Sequence, residues 1–290
     1  MIDSQLGKQL VADQFPHWSH LPVTPVDEGG WDNRTFYLGP DMSVRLPSAE
    51  HYMAQVAKEA RWLPVLAPQL PLPISQPLAI GQPGHGYPSP WAIHRWIDGE
   101  TAKRERIGDL QQFAEDLAAF LLALWKIEVS GGPLAGAHNF HRGGALSVYD
   151  GEARAALVAL AEEVDVPLLT RIWEKALASS WAKRPLWLHG DIASGNLLVK
   201  NRKLSAVIDW GTCGVGDPSA DLAISWTLFD RPARKAFRSR LGLDPQTWDR
   251  ARGWCLWKAL IVVAEARNTD HARPIFTDAG STKSSPTCPE

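Results

Sequence analysis

Three cysteines in 290 residues, Cys213, Cys255 and Cys288, are too few and too far apart for a disulfide framework or a zinc ligand set. A reducing cytoplasm is the expected compartment. Nor does one sign of charge prevail. Thirty Lys and Arg against 32 Asp and Glu leave a formal net charge of −2, with no block of like charges. That removes the broad basic surface on which nucleic-acid binding rests, so no nucleic-acid partner is expected. Long apolar runs are missing too. The longest strongly apolar stretch, residues 117–125, is far shorter than the roughly 20 residues that cross a bilayer. Residues 1–20 lack the charged start, apolar stretch and cleavage site of a signal peptide, and no membrane partner is expected. What remains is an ordinary globular balance, 45% apolar and 21% charged, in a chain long enough for two lobes. Fourteen tryptophans are scattered along it and read as packing and amphipathic surface contacts.

The first 97 residues read as strands and turns around one helix. A short amphipathic helix is predicted over 3–15, strands over 35–38 and 43–46, and a helix from a Ser48 cap to about Leu63. Eight prolines between Pro64 and Pro90 exclude a continuous helix there. Either this is a flexible linker or strands 74–80 and 91–97 form a hairpin; the β-branched and aromatic flanks favour the hairpin. From residue 106 the period turns helical, with Ile107, Leu110, Phe113, Leu117, Leu121 and Leu124 on one face. Helices are predicted at 150–163 and 167–183, short strands at 186–188, 197–199 and 204–208, then helices at 221–229, 232–241 and 246–268. Residues 277–290 are polar and small and read as a disordered tail. The class is α+β, with a strand-rich lobe over 1–97, a helix-rich lobe over 98–276 and a ligand cleft between them.

The chemistry concentrates in His189-Gly190-Asp191-Ile192-Ala193-Ser194-Gly195-Asn196 and, after a strand, Ile208-Asp209-Trp210-Gly211. Short strands bracket a loop that carries a carboxylate and an amide, and another strand delivers a second carboxylate beside them. Phosphoryl transfer needs such a set. One carboxylate orients and deprotonates an attacking hydroxyl, while a second carboxylate and a neutral oxygen hold the magnesium that bridges nucleotide phosphates. These residues, followed by Gly216-Asp217-Pro218 and Asp221-Leu222-Ala223, resemble the aminoglycoside phosphotransferase family of kinase-like enzymes. The resemblance implies a two-lobed protein-kinase-like fold, Asp191 as catalytic base, Asn196 and Asp209 as Mg2+ ligands, and ATP, with GTP as an option, as phosphoryl donor. His189 would support the loop, and Asp217 and Asp221 would fix it and cap the next helix.

In the first lobe, Gly29 and Gly30 lie where kinase-like folds place a nucleotide-covering loop, although an ordinary turn explains two glycines equally well. Position 45 departs from the kinase pattern, which carries lysine: here Arg45 stands on the strand, with Glu59 as its expected partner. Arg95, Trp96 and Ile97 fall on the segment that would meet the adenine. The stretch from Asp209 to Asp221 leaves no room for a long activation segment, which points to a small hydroxyl-bearing acceptor rather than a protein. The resemblance makes an aminoglycoside the first expectation, with Asp230, Glu265 and Asp270 as carboxylates for its ammonium groups and Trp226, Trp254 and Trp257 as pocket walls. Alternatives are a metabolic kinase acting on a choline-, homoserine- or methylthioribose-like acceptor, a pseudokinase, and a metal-dependent hydrolase built on His189, Asp191 and Asp209. Monomer and homodimer both fit.

Overall fold

Alternating apolar residues between Val23 and Pro47 build a sheet against the first helix. The computed structural model describes residues 1–26, 30 and 32–268. Helix α1 (Ser4–Gln14) starts at Asp3, whose carboxylate accepts from the Leu6 amide at 2.9 Å. Its Leu10 and Val11 pack on strands β1 (Val23–Pro25), β2 (Asn33–Leu38) and β3 (Met42–Pro47). Helix α2 (Met53–Leu66) follows, then β4 (Pro77–Gly81) and β5 (Trp91–Arg95). The sheet is antiparallel in the order β1-β2-β3-β5-β4, so the proline-rich region is a hairpin and not a linker. Trp91 and Ile93 complete the core of this lobe with Phe36, Leu38, Val44 and Leu46.

The second lobe opens with β6 (Glu100–Thr101) and α3 (Leu110–Leu124), whose face of Leu110, Phe113, Leu117, Leu121 and Leu124 is buried as its period requires. Helices α4 (Asp150–Ala159) and α5 (Val166–Leu177) precede β7 (Leu186–Leu188). Then come β8 (Leu197–Lys200), β9 (Lys203–Val207) and β10 (Gly214–Gly216). Helices α6 (Ile224–Thr227), α7 (Arg231–Leu241) and α8 (Pro245–Asn268) finish the described chain. The tight β8–β9 turn places Asn201 and Arg202 at positive φ, 53° and 63°. Aspartates cap α3, α5 and α7 as well: Asp109, Asp165 and Asp230 each accept from the amide three residues on.

Two apolar clusters hold this lobe together. One joins α3 and α7 through Phe113, Phe120, Trp187, Trp210 and Phe237; it also takes in Leu63, Leu66 and Ile74 from the other side of the cleft. The other joins α4, α5 and α8 through Leu157, Leu169, Trp173, Trp254 and Trp257. Between α8 and the 217–218 turn lies a buried ion pair. Arg250 Nε donates to Asp217 Oδ2 at 2.7 Å, both side chains are 5% exposed, and the Ser179 and Thr247 hydroxyls each accept from one of the Nη groups. Removing one partner of such a pair costs about 3–5 kcal/mol. Arg250→Met is therefore expected to lower the urea midpoint steeply. A midpoint equal to the parent's would show that the pair contributes nothing net.

Five local expectations are corrected. Ser48 does not cap α2; its amide donates to Asp32 O, and a 3-10 turn over 50–52 leads into the helix. Helix α2 runs through Pro64 to Leu66, since proline near a helix end forfeits only one amide bond. Helix α4 stops at Ala159 and α5 at Leu177, where Ser179 is drawn out to Arg250. The 221–229 helix is broken into a 3-10 turn over 218–222 and the four-residue α6, because Asp221 is pulled inward. The expected tail over 277–290 lies outside the described residues.

Candidate active site

Strand pairing puts the key side chains together. Leu197 pairs with Val207 across β8 and β9, and the Ile208 amide donates to Asn196 O at 2.9 Å, so Asn196 and Asp209 end up beside each other. Asp209 adopts φ 64° and ψ 68°, a left-handed conformation that an L residue enters at a cost and that clusters at functional sites. Asn196 Nδ2 donates to the main-chain oxygen of Asp191 at 2.9 Å and to Asp191 Oδ2 at 3.3 Å. The amide nitrogen is thereby spent on Asp191, and the amide oxygen is the atom left for a cation.

The 189–196 loop is held from below. His189 Nε2–H donates to Ile208 O at 2.9 Å, while its Nδ1 accepts from the Asp191 amide at 3.2 Å. Burial keeps this imidazole neutral, below its ordinary pKa. The Asp221 carboxylate accepts from the amides of His189 at 2.8 Å and Gly190 at 2.6 Å. Burial pushes its pKa up to about 7 against the pull of those two bonds. Gly190, at φ 90°, must be glycine on two counts, because a Cβ there would meet Thr212 O at 2.5 Å. His189, Asp217 and Asp221 thus act on the loop and on the turn that follows.

Burial alone would raise the Asp191 carboxyl. The Lys258 ammonium, and after it the Arg142 guanidinium, outweigh it and hold the group below the usual carboxylate range. Lys258 Nζ, from α8, donates to Asp191 Oδ1.

From the other lobe, Arg45 on β3 reaches across the cleft. Its Nη2 donates to Asp209 Oδ1 at 2.9 Å, and Nη1 lies 3.7 Å from Glu59 Oε2. Arg45 and Glu59 respond to this differently. Burial disfavours both charges, but Arg45 faces two carboxylates and is raised, whereas at Glu59 burial outweighs its single guanidinium and its pKa rises too. His94, 3.7 Å from Glu59, is kept neutral by burial and adds no charge. A further interlobe tie runs from Lys58 Nζ to His138 Nδ1 at 3.1 Å.

Other expected site residues fall elsewhere. Gly30 is exposed, and Gly29 lies outside the described residues. Arg95 ends β5, and Trp96 and Ile97 follow it. The amides of Arg95 and Trp96 already donate to Gln76 O and Asp41 O, so an adenine here would meet Ile97 and the carbonyls. Asp230 caps α7 and pairs with Arg104 at 3.0 Å. Glu265 is exposed on α8, and Asp270 lies outside the described residues. Trp254 and Trp257 are buried against Tyr149, and Trp226 packs on Trp248.

Sequence reasoning missed Asp32, Arg142 and Lys258. Asp32 accepts from Gln55 Nε2 at 3.1 Å, and burial raises its carboxyl, with Asp209 and Asp191 adding like charge. Its place just after Gly29 and Gly30 was the only signal for it; Arg142 and Lys258 gave none, being 49 and 67 positions from Asp191.

A family model described as the phosphotransferase enzyme family, APH, matches residues 23–254, well over half the chain. The chain belongs to this family. It is a phosphotransferase with a two-lobed, α+β kinase-like fold. No curated protein matches it. Among solved structures, the family member APH(2")-IIIa in complex with GDP and kanamycin superposes with a TM-score of 0.71 at 19% identity, over 91% of this chain and 92% of that one. The streptomycin–ATP–APH(2")-IIa ternary complex gives 0.59 at 16%, over 94% and 93%. The macrolide 2'-phosphotransferase MphH of Brachybacterium faecium gives 0.60 at 22%, over 92% and 94%. At these identities the likeness is one of fold. Among the described residues of this phosphotransferase, no helix is long and apolar enough to cross a membrane.

Proposed function

We propose that the enzyme transfers the γ-phosphate of ATP, or of GTP, to a hydroxyl of a small molecule in a magnesium-dependent reaction. Residues 1–97 serve as the nucleotide lobe and 98–276 as the catalytic and acceptor lobe. The observation that supports this best is the convergence of Asp191, Asn196 and Asp209 at one end of the β8–β9 hairpin, with Arg45 reaching Asp209 from the opposite lobe. Asp209 and the Asn196 amide oxygen offer the hard oxygen donors that magnesium prefers. Among the described residues no three His, Cys, Asp or Glu side chains gather as a metal-binding group; nucleotide phosphates and water would fill the remaining positions around the ion. When bound, the metal supplies charge neutralisation for the phosphoryl oxygens. Asp191 accepts the hydrogen bond, and finally the proton, of the attacking hydroxyl. Arg45 offsets phosphate charge, and its fork keeps Asp209 and Glu59 in register.

If Arg45 serves the nucleotide in this way, Arg45→Ala raises nucleotide KM strongly. Arg45→Lys keeps part of the effect, because a single ammonium cannot span both carboxylates as a planar fork does. Unchanged nucleotide KM and turnover in the alanine variant would remove Arg45 from the phosphate site.

For the acceptor, the relatives that bind kanamycin and streptomycin support an aminoglycoside. A second reading, a neutral or singly charged acceptor, is favoured by one observation: the charged side chains drawn to Asp191 are the cations Lys258 and Arg142. A panel of both classes, with magnesium and ATP or GTP and read by nucleoside diphosphate release over a no-acceptor control, separates them. For a polycation, acceptor KM is expected to climb with salt, since the screening length falls from about 10 Å at 0.1 M to 3 Å at 1 M. Glu265→Gln, Asp270→Asn or Asp230→Asn should raise it further. Turnover of neutral acceptors with none of aminoglycosides would exclude the polycation and leave phosphotransfer standing.

A further inference from the structure

The carboxylate assigned as base is gripped from outside its own loop. Lys258 Nζ donates to Asp191 Oδ1, and it does so from α8, 67 positions along the chain. Among the described residues the other oxygen, Oδ2, has only the 3.3 Å contact from Asn196 Nδ2. Lys258 is half-exposed, as a casual surface partner would be, but the helix turn that carries it is not free to drift. Trp254 and Trp257 are 3% and 5% exposed, and Trp257 stacks on Tyr149 with ring centroids 4.0 Å apart. Trp257 Nε1 also donates to Glu152 Oε2 at 2.8 Å.

The same two indoles carry the Arg142 guanidinium, which sits 4.8 Å from each ring. Arg142 Nε in turn donates to Gly190 O at 3.0 Å. One face of α8 therefore holds two consecutive residues of the loop. It holds Gly190 through the arginine stacked on its tryptophans and Asp191 directly through Lys258. Electrostatics gives this grip a purpose. Asp191 and Asp209 both lie close enough to Asp32 to act on it, and a nucleotide triphosphate brings still more negative charge to the three. An ammonium on Asp191 keeps that carboxylate in place as the phosphoryl group approaches.

We propose that Lys258 is a positioning residue of the transfer site: through Asp191 it fixes the carboxylate toward the acceptor hydroxyl and offsets its charge against the arriving phosphoryl group. This rests on the reading of Asp191 given above. Loss of one such orienting contact is expected to lower kcat in Lys258→Met by about 10- to 100-fold, within the range of a misplaced catalytic group. Nucleotide KM and thermal midpoint should stay near the parent's. Lys258→Arg should recover part of the rate, since it restores the charge and a donor. The distinguishing measurement is a double-mutant cycle. In an Asp191→Asn background, Lys258→Met should cost little more, because both changes remove the same unit. Losses that multiply, or a Lys258→Met enzyme with parental kcat, would overturn the proposal.

A readout independent of turnover accompanies the cycle. Amine-reactive labelling of Lys258, followed by mass spectrometry, should be slow in the parent and faster in Asp191→Asn. Equal labelling in the two proteins overturns the inference whatever the turnover. A parent that keeps the protection but phosphorylates no acceptor would instead sink the functional reading and leave the Lys258–Asp191 coupling supported.

Discussion

Asp191→Asn is expected to bind nucleotide much as the parent does and to lose nearly all phosphoryl transfer. A positioned general base contributes about 10²–10⁴-fold to rate, and the loss should appear in kcat. The substitution is nearly isosteric, so Asn196 and the His189–Asp221 scaffold have no steric reason to move. What changes is charge. The amide cannot take the hydroxyl proton, and even with its oxygen turned toward Lys258 it is neutral and leaves the ammonium without its counter-ion. Isothermal calorimetry with nucleotide and steady-state rates with an active acceptor test both halves. Near-parental turnover would remove Asp191 from the role of base.

Asp209→Ala should abolish productive Mg-nucleotide binding. Its carboxylate is the one charged oxygen donor assigned to the cation, and the neutral Asn196 oxygen cannot replace it. Metal-assisted neutralisation of transferring phosphate is worth several kcal/mol, and each ~1.4 kcal/mol is tenfold, so the rate should fall by 10² or more. The fold should survive, because Arg45 keeps Glu59 as a partner at 3.7 Å after losing Asp209. Calorimetry with and without magnesium supplies the test: the parent's nucleotide affinity should depend on the metal, and the variant's should not. Magnesium-independent turnover by the parent would count against the whole arrangement.

The linear chain determined a good deal by itself. Period-2 and period-3.6 apolar patterns set β2, β3, α3 and α7, because burial of one face repeats at the pitch of the element that buries it. The convergence of Asp191, Asn196 and Asp209 was legible for a related reason. Loop and hairpin are contiguous, so spacing along the chain carries over into spacing in the fold. The starts of α5 and α7 were read to within a residue, at 167 and 232, where Asp165 and Asp230 make local capping bonds. Helix ends were misread where a distant partner intervened. Asp221 breaks the 221–229 helix because amides at 189 and 190 claim its carboxylate, and Ser179 leaves α5 for Arg250.

What only the tertiary structure decided is the cast of charges around the site. Arg45 meets Asp209 across 164 positions, Lys258 meets Asp191 across 67, and Arg142 meets the Gly190 carbonyl across 48 while stacked on two tryptophans of α8. No local period encodes such meetings. They arise when the lobes close on each other and α8 packs over the loop, where a buried charge must find a partner or forfeit its solvation.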